Sequence, residues 1–296
     1  MKNELVSRLL RLTLLPLFIR EVIQRRKVTI IYYHDPSPET LESHLAVLRR
    51  TYRLISLRQF VEHHRLRGIH TLPRKSLVIS LDDGHADNFR LMALLETLKV
   101  PVTIFLCSGI AGTRRRFWFK HVSGDVELLK QLPDDERLER LRILGFDEAQ
   151  EVSERDALAR GEIEELSSCV DFQSHTVSHP VLPKCSNKKA EHEIFASKQD
   201  IEREYGFDIY ALSYPNGDYS DREISLAKSA GYQCAVTADV GFNSDQTDPF
   251  RLKRIYIDDN DGIDELLVKA CGLWGLIKGA VRQKAFGYTP TPGPET

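Results

Sequence analysis

Seven short apolar runs, spread along the chain with helical patterns between several of them, constrain its fold more than any other feature. They are VTIIYY (28–33), LVISL (77–81), VTIFLC (102–107), CVDFQS (169–174), IYALSY (209–214), YQCAVT (232–237) and RIYI (254–257). The helical patterns are SPETLESHLAVLRRTY, ADNFRLMALLETLKV, NKKAEHEIFASKQDIEREYG and SDREISLAKSAGY. Strand alternating with helix implies an α/β fold with a mostly parallel sheet, open or closed into a barrel. The strands are apolar throughout instead of alternating, which fits a sheet covered on both faces. At 296 residues, one barrel accommodates the whole chain.

Residues 112–166 break this rhythm. The block from GTRRRFWFKHV onward is charged, helical and strand-free, and reads as an insertion on one βα loop. Such loops lie at the C-terminal face of a parallel barrel, where sites form. The insertion therefore either shapes the site or is a solvated excursion. The barrel is expected over 28–270, between an amphipathic segment 1–27 and an end region 271–296.

Composition sets broad bounds. With 42% hydrophobic and 28% charged residues the chain is an ordinary globular one. The balance of 41 basic against 43 acidic residues gives a net charge of −2, so no nucleic-acid partner is expected. Five cysteines, Cys107, Cys169, Cys185, Cys234 and Cys271, form no CxxC pair. Their odd number and wide spacing suit buried or free thiols better than disulfides or a zinc finger.

The ends are amphipathic. LTLLPLFI (12–19) has the length of a signal-peptide core, but Pro16 interrupts it and no A-x-A-like site follows. It is too short to span a bilayer. Read as a helix, 4–24 carries Leu5, Leu9, Leu12, Ile19 and Ile23 beside Arg8, Arg11 and Arg20, with Arg25, Arg26 and Lys27 following. GLWGLIKGAVRQKAF (272–286) repeats that chemistry. Such segments either lie in a membrane interface or pack on the domain. The expected location is cytoplasmic or peripheral to a membrane, and the tail YTPTPGPET is expected to be disordered.

Two constellations carry chemistry. In SLVISLDDGHADNF the strand runs into Asp82, Asp83 and Gly84, which puts two carboxylates at its C-terminal end. Gly84 permits a tight turn, so the two acids escape the up-down alternation of a strand interior. A helix N-cap would account for only one of them. In DFQSHTVSHP, His175 and His179 follow another strand and can meet one metal ion if the segment turns back on itself. Together these make a two-histidine, one-carboxylate site with a second acid free to act as general base, the layout of metal-assisted hydrolysis. An amine leaves poorly unless it is protonated. His34, in IIYYHDPSP at the end of the first strand, is the candidate acid.

These motifs resemble the polysaccharide deacetylase (NodB-like) family, whose fold is a distorted (β/α) barrel. SLDDG resembles its TFDDG element, HTVSH its metal-binding HSxxH element, PVTIFL the strand after the first motif, and LSYPNGDYS a groove wall. The resemblance spans roughly 28–257, interrupted by the helical block. It implies Asp82 as catalytic base, Asp83, His175 and His179 as metal ligands, and Tyr214, Pro215 and Asn216 along the groove. A backbone N–H near Asn216 would serve the oxyanion. The early YH strand resembles the permuted subgroup acting on poly-N-acetylglucosamine-type exopolysaccharides, which makes His34 the acid.

Two positions depart from the family pattern. Ser213 stands where an arginine usually orients the base, and Asn216 where a tyrosine commonly follows the proline.

Asp239, Arg254 and Trp118 are weaker candidates: Asp239 and Arg254 for a groove contact or a structural ion pair, Trp118 for stacking on a sugar or for simple packing at the hinge of the insertion. His85, Asp87, His63, His64 and His70 read as solvated or capping residues. The implied activity is N-deacetylation of N-acetylated amino sugars in a polysaccharide or glycan precursor, with zinc as default ion and cobalt, nickel or iron as alternatives. A silent glycan-binding domain, or a deacylase of a small or lipid-linked amino sugar, are the rival expectations.

Overall fold

The structure, a computed structural model, describes residues 2–122, 124 and 126–273. Most of the C-terminal amphipathic stretch, and the tail beyond it, lie outside the described residues.

Eight parallel strands form the sheet: β1 (Thr29–Tyr33), β2 (Arg53–Leu54), β3 (Ser76–Leu81), β4 (Val102–Leu106), β5 (Val170–Ser174), β6 (Ala211–Ser213), β7 (Cys234–Val236) and β8 (Ile255–Tyr256). Their order is β7-β6-β5-β4-β3-β1-β8, with β2 beside the start of β3. Seven of these match the apolar runs, and the two-residue β2 is too short to carry a pattern. Register runs Thr29 opposite Leu77 between β1 and β3, and Val102 opposite Val170 between β4 and β5.

One segment closes the ring. Leu252 bridges Val236 of β7, and three residues later Ile255 pairs with Ile31 of β1. The result is a distorted (β/α) barrel. Residues of alternate parity enter two cores. Ile31, Ile79, Leu81, Ile104 and Phe172 pack outward against the helices. Ile30, Val78, Phe105, Cys234 and Leu252 fill the lumen.

The helices form where the patterns place them, and serine hydroxyls start several of them. Ser37 accepts from Thr40 N–H (3.2 Å), and Ser186 from Lys189 N–H (3.3 Å), at the heads of Pro38–Thr51 and Asn187–Tyr205. Each satisfies a backbone donor that the first helical turn leaves unpaired. Gly206, at φ 70°, ends the second of these in the left-handed conformation. Ile263–Ala270 joins the outer layer, whereas Leu57–Leu66 packs Leu57, Phe60 and Val61 onto the lumen residues.

The insertion is not a solvated excursion. Its helices Trp118–His121 and Asp134–Ile143 bury Trp118, Leu129, Leu141 and Phe146 in a small core of their own. Its returning limb pairs with the turn after β3, through a bridge between His85 and Ala157 and a Leu158 N–H to Gly84 bond of 2.9 Å.

The N-terminal segment is not one helix from 4 to 24. It breaks into Lys2–Leu12, Leu15–Phe18 and a π-helical turn Ile19–Ile23. Ile19 packs with Val268, Cys271 and Leu273, while most other apolar side chains of the segment face outward. Among the described residues no helix is long and apolar enough to cross a membrane.

Gly217 follows the LSYP strand end at φ 75°, and a Cβ there would lie 2.4 Å from the Ala238 backbone nitrogen. Gly217→Ala is expected to cost about 1–3 kcal/mol, since both the conformation and the space exclude a side chain. The check is the urea midpoint at unchanged slope; an unmoved midpoint would show that the turn relaxes freely.

Candidate active site

Strand parity delivers most of the site. On β3, Val78 and Ser80 point into the lumen, and Asp82 is the next inward position. His34 continues β1 in the same way, and His175 continues β5. Asp83 would face outward on a straight strand. Its φ of 71°, followed by Gly84 at 65°, turns it back beside Asp82. Neither acid caps a helix: the following 3₁₀ turn Ala86–Leu91 has no side-chain cap.

Thr176 and His179 are also left-handed, at φ 69° and 57°, and fold the HTVSH segment onto itself. A buried carboxylate holds that loop. Glu193 accepts from Val177 N–H and Ser178 N–H, both at 2.8 Å, and from Ser178 Oγ at 2.7 Å. The periodic helix pattern around Glu193 carries no sign of this role.

The loop brings Nε2 of His175 and His179 to 3.4 and 3.3 Å from Asp83 Oδ1. His175 Nδ1 lies 2.8 Å from the Ser213 carbonyl oxygen, an acceptor, so Nδ1 carries the proton and Nε2 presents its lone pair. Asp83 Oδ1 is buried and receives no hydrogen bond. One ligand atom from each of the three residues lies within 4.8 Å of the others. Converging buried lone pairs repel one another unless a cation lies among them, so this donor set fits a divalent metal.

The electrostatics follow from burial set against the neighbouring charges. Burial alone would raise the Asp83 carboxyl, but His179, His175 and His85 outweigh it and hold it well below the usual range. Burial pushes His179 down to about 3, leaving the neutral imidazole that ligates metals. His175 runs the other way: burial lowers it, yet Asp83 and Asp82 overcome that and raise it, so these carboxylates favour a proton on Nε2 that a cation held by the three residues would displace.

Asp82 has a different partner. Arg254 donates from Nη1 to Oδ1 at 2.7 Å and from Nη2 to Oδ2 at 2.8 Å, while its Nε donates to Thr237 O at 2.8 Å. The guanidinium lies 4.0 Å from the Tyr32 ring centroid. Ser213 Oγ stands 3.4 Å from Asp82 Oδ2 and accepts from Arg254 at 3.1 Å. Burial raises Asp82, but Arg254 more than compensates and keeps it ionised.

A cavity of about 650 Å³ opens over these groups. Tyr32, His34 and Tyr256 line one side, Asn216 and Gly217 another, and Phe119, Lys120 and Lys130 of the insertion a third. The His34 ring forms a triangle with Tyr32 (5.8 Å) and Tyr256 (5.3 Å), whose own rings lie 5.3 Å apart. Tyr214 and Pro215 are buried behind this wall. Asn216 is left-handed at φ 57°.

Two open alternatives are decided and one expectation changes. Trp118 does not reach the cavity: it is 3% exposed, and its Nε1 donates to the His179 carbonyl at 2.8 Å, so it braces the loop from behind. Arg254 faces the cavity with its guanidinium already committed to Asp82. His85 is neither solvated nor a side-chain cap; it is buried, with Nε2 3.1 Å from Asp83 Oδ2. Asp239 is exposed and accepts from Tyr219 at 2.7 Å.

A family model described as polysaccharide deacetylase matches residues 70–235. The chain belongs to the polysaccharide deacetylase family. YxkH of Bacillus subtilis, provisionally named a polysaccharide deacetylase, is 23% identical over 184 residues, 62% of this chain and 52% of that protein. The chain thus spans about half the length of this curated relative. Among solved structures, the deacetylase PplD of Streptococcus pyogenes, in complex with acetate, superposes with a TM-score of 0.61 at 20% identity, covering 82% of this chain and 98% of that one. A de-N-acetylase from Aggregatibacter actinomycetemcomitans gives 0.57 at 18%, covering 81% and 98%. At these identities the likeness is one of fold.

Because His85 fixes the Asp83 oxygen that faces away from the other two imidazoles, His85→Ala is expected to weaken divalent-metal affinity about 10–100-fold. His85→Gln, which keeps a donor, should recover part of it. Calorimetric titration of zinc into metal-stripped protein is the check; equal affinity in all three proteins would remove His85 from the site's support.

Proposed function

We propose that this chain is a metal-dependent hydrolase that removes N-acetyl groups from the amino sugars of a polysaccharide or glycan precursor. The observation that carries this reading is the division of labour between neighbouring acids. Asp83 joins two lone-pair imidazoles, while Asp82 is held by a guanidinium and left clear of that cluster. A divalent cation bound by Asp83, His175 and His179, zinc by default and cobalt, nickel or iron otherwise, would activate water and polarise the amide carbonyl.

The remaining steps belong to the chain's own side chains. Asp82, kept anionic by Arg254, takes the proton of the attacking water. Arg254 fixes both carboxylate oxygens, so the base approaches in one orientation. The Asn216 backbone, at the cavity wall, is the candidate N–H for the developing oxyanion. His34, on the opposite wall, protonates the nitrogen as it leaves, giving a free amine and acetate. Phe119 and the tyrosines Tyr32 and Tyr256 offer faces for a sugar ring. The name of the Aggregatibacter de-N-acetylase supports amide over ester cleavage. A second partner, a membrane surface, is carried by residues away from the cavity.

Acetate release from N-acetylglucosamine oligomers should vanish on chelation and return with zinc; turnover that survives complete metal removal would overturn the mechanism. His34→Ala should lower kcat about 10²–10⁴-fold with a smaller change in zinc affinity. If turnover is untouched, the acid lies elsewhere.

Asp82 works only when ionised, and Arg254 is what pulls its pKa down against burial. Arg254→Lys loses the bidentate geometry, so the Asp82 pKa should rise. The acid limb of the kcat/KM profile should then move to higher pH. A limb that stays in place would mean that Asp82 is not the group titrating there.

A further inference from the structure

The N-terminal segment presents two different faces. Ser7, Ile19 and Gln24 are buried against the domain, and the Gln24 side chain donates to the Ala270 carbonyl at 2.9 Å. The other face exposes Leu5 (62%), Leu9, Leu12 (78%), Leu14 (78%), Leu17 and Phe18. So much contiguous apolar surface is unusual on a soluble monomer.

Cations surround it. Glu21 is the one acid between residues 5 and 27, against Arg8, Arg11, Arg20, Arg25, Arg26 and Lys27. Glu21 is taken up by Arg20 at 2.9 Å and Lys75 at 3.1 Å, and Arg11 pairs with Asp264. Arg8, Arg25, Arg26, Lys27 and Arg74 have no carboxylate partner among the described residues. Four of these five, with His70, line a cleft of about 330 Å³ immediately after the segment. The Lys75 N–H to Arg25 carbonyl bond (3.1 Å) ties the two basic stretches together where β1 and β3 begin.

We propose that this surface docks the protein on an anionic lipid bilayer, with the apolar side chains inserted and the basic cleft on lipid phosphate. An apolar segment that runs directly into a cleft of cations without carboxylate partners matches the apolar-below, anionic-above layering of such a membrane. A second copy, whose insertion exposes Ile143 and Leu144 among acids, is the alternative occupant that the test separates. The cleft sits where β1 and β3 start, whereas Asp82 and His34 follow their ends. Six residues of β3 at about 3.3 Å each separate cleft and catalytic cavity by roughly 20 Å. Docking there leaves the cavity mouth on the aqueous side, which suits a glycan reached from solution. The inference does not depend on the catalytic reading, because the test reads binding alone.

The test is flotation of the full chain with phosphatidylcholine vesicles, with and without 30% phosphatidylglycerol (about a third of the lipid, a strongly anionic surface). Binding is expected only to the anionic vesicles and should fall with salt. The triple charge reversal Arg25→Glu, Arg26→Glu, Arg74→Glu should weaken it by at least about a hundredfold. Leu14→Asp with Phe18→Asp should abolish it at every salt concentration. All five side chains are exposed, and an unchanged thermal melt of each variant confirms folding.

Absence of flotation, or equal flotation with neutral vesicles, would overturn the proposal. So would binding of inorganic phosphate at the cleft without any vesicle binding, which assigns it to a soluble anion. A dimer in light scattering that Leu14→Asp with Phe18→Asp dissolves, without flotation of the parent chain, would assign the face to a second copy.

Discussion

Two adjacent carboxylates buried at the end of one strand cannot both remain ionised without a positive group for each. Everything around the cavity follows from how the chain meets that demand. Asp82 receives a guanidinium in bidentate geometry, and Asp83 receives imidazoles and a place for a cation. Had both acids shared one partner, one would have taken up a proton, and the two could not serve different roles. The left-handed turn at Asp83 creates the problem and also separates the two environments.

The barrel and half of this site could be read from residue order. Continuous apolar runs locate the strands, and period two then predicts which residue after each strand keeps facing inward. His34, Asp82 and His175 are the next inward steps after Tyr32, Ser80 and Gln173. What sequence could not carry is contact between distant segments. Arg254 stands 172 residues from Asp82 and meets it because the 252–256 segment closes the ring. Glu193 lies in an ordinary helical pattern, and only the folded loop gives its carboxylate three donors. His85 looked like a surface residue because nothing local shows that the insertion returns to cover it. Trp118 shows the opposite ambiguity: an aromatic residue at a loop hinge suits stacking on a ligand as well as it suits a small core, and here it packs.

The insertion therefore has a structural task that its charge conceals. Phe117 and Phe119 place ring edges against His179 at 6.3 and 5.0 Å, and Trp118 holds that residue's carbonyl. Its return limb pairs with the turn that orients Asp83. One excursion thus braces metal-ligand candidates from two strand ends, and its outer residues form a cavity wall. Its length and composition set the shape of that wall without disturbing the barrel beneath.

Ser213 makes a last point about equivalence. Where relatives are expected to carry a base-orienting arginine, this chain has a hydroxyl, which cannot balance a buried carboxylate. The guanidinium arrives instead from the closing segment of the barrel, and Ser213 Oγ accepts one of its hydrogen bonds. For Asp82 the requirement is electrostatic and geometric: a delocalised cation, two parallel N–H donors and a rigid backing, here Tyr32 and the Thr237 carbonyl. Any strand end that points into the lumen can meet it. Loss of the arginine at one motif position is therefore no argument against a working base, provided another inward position supplies the charge.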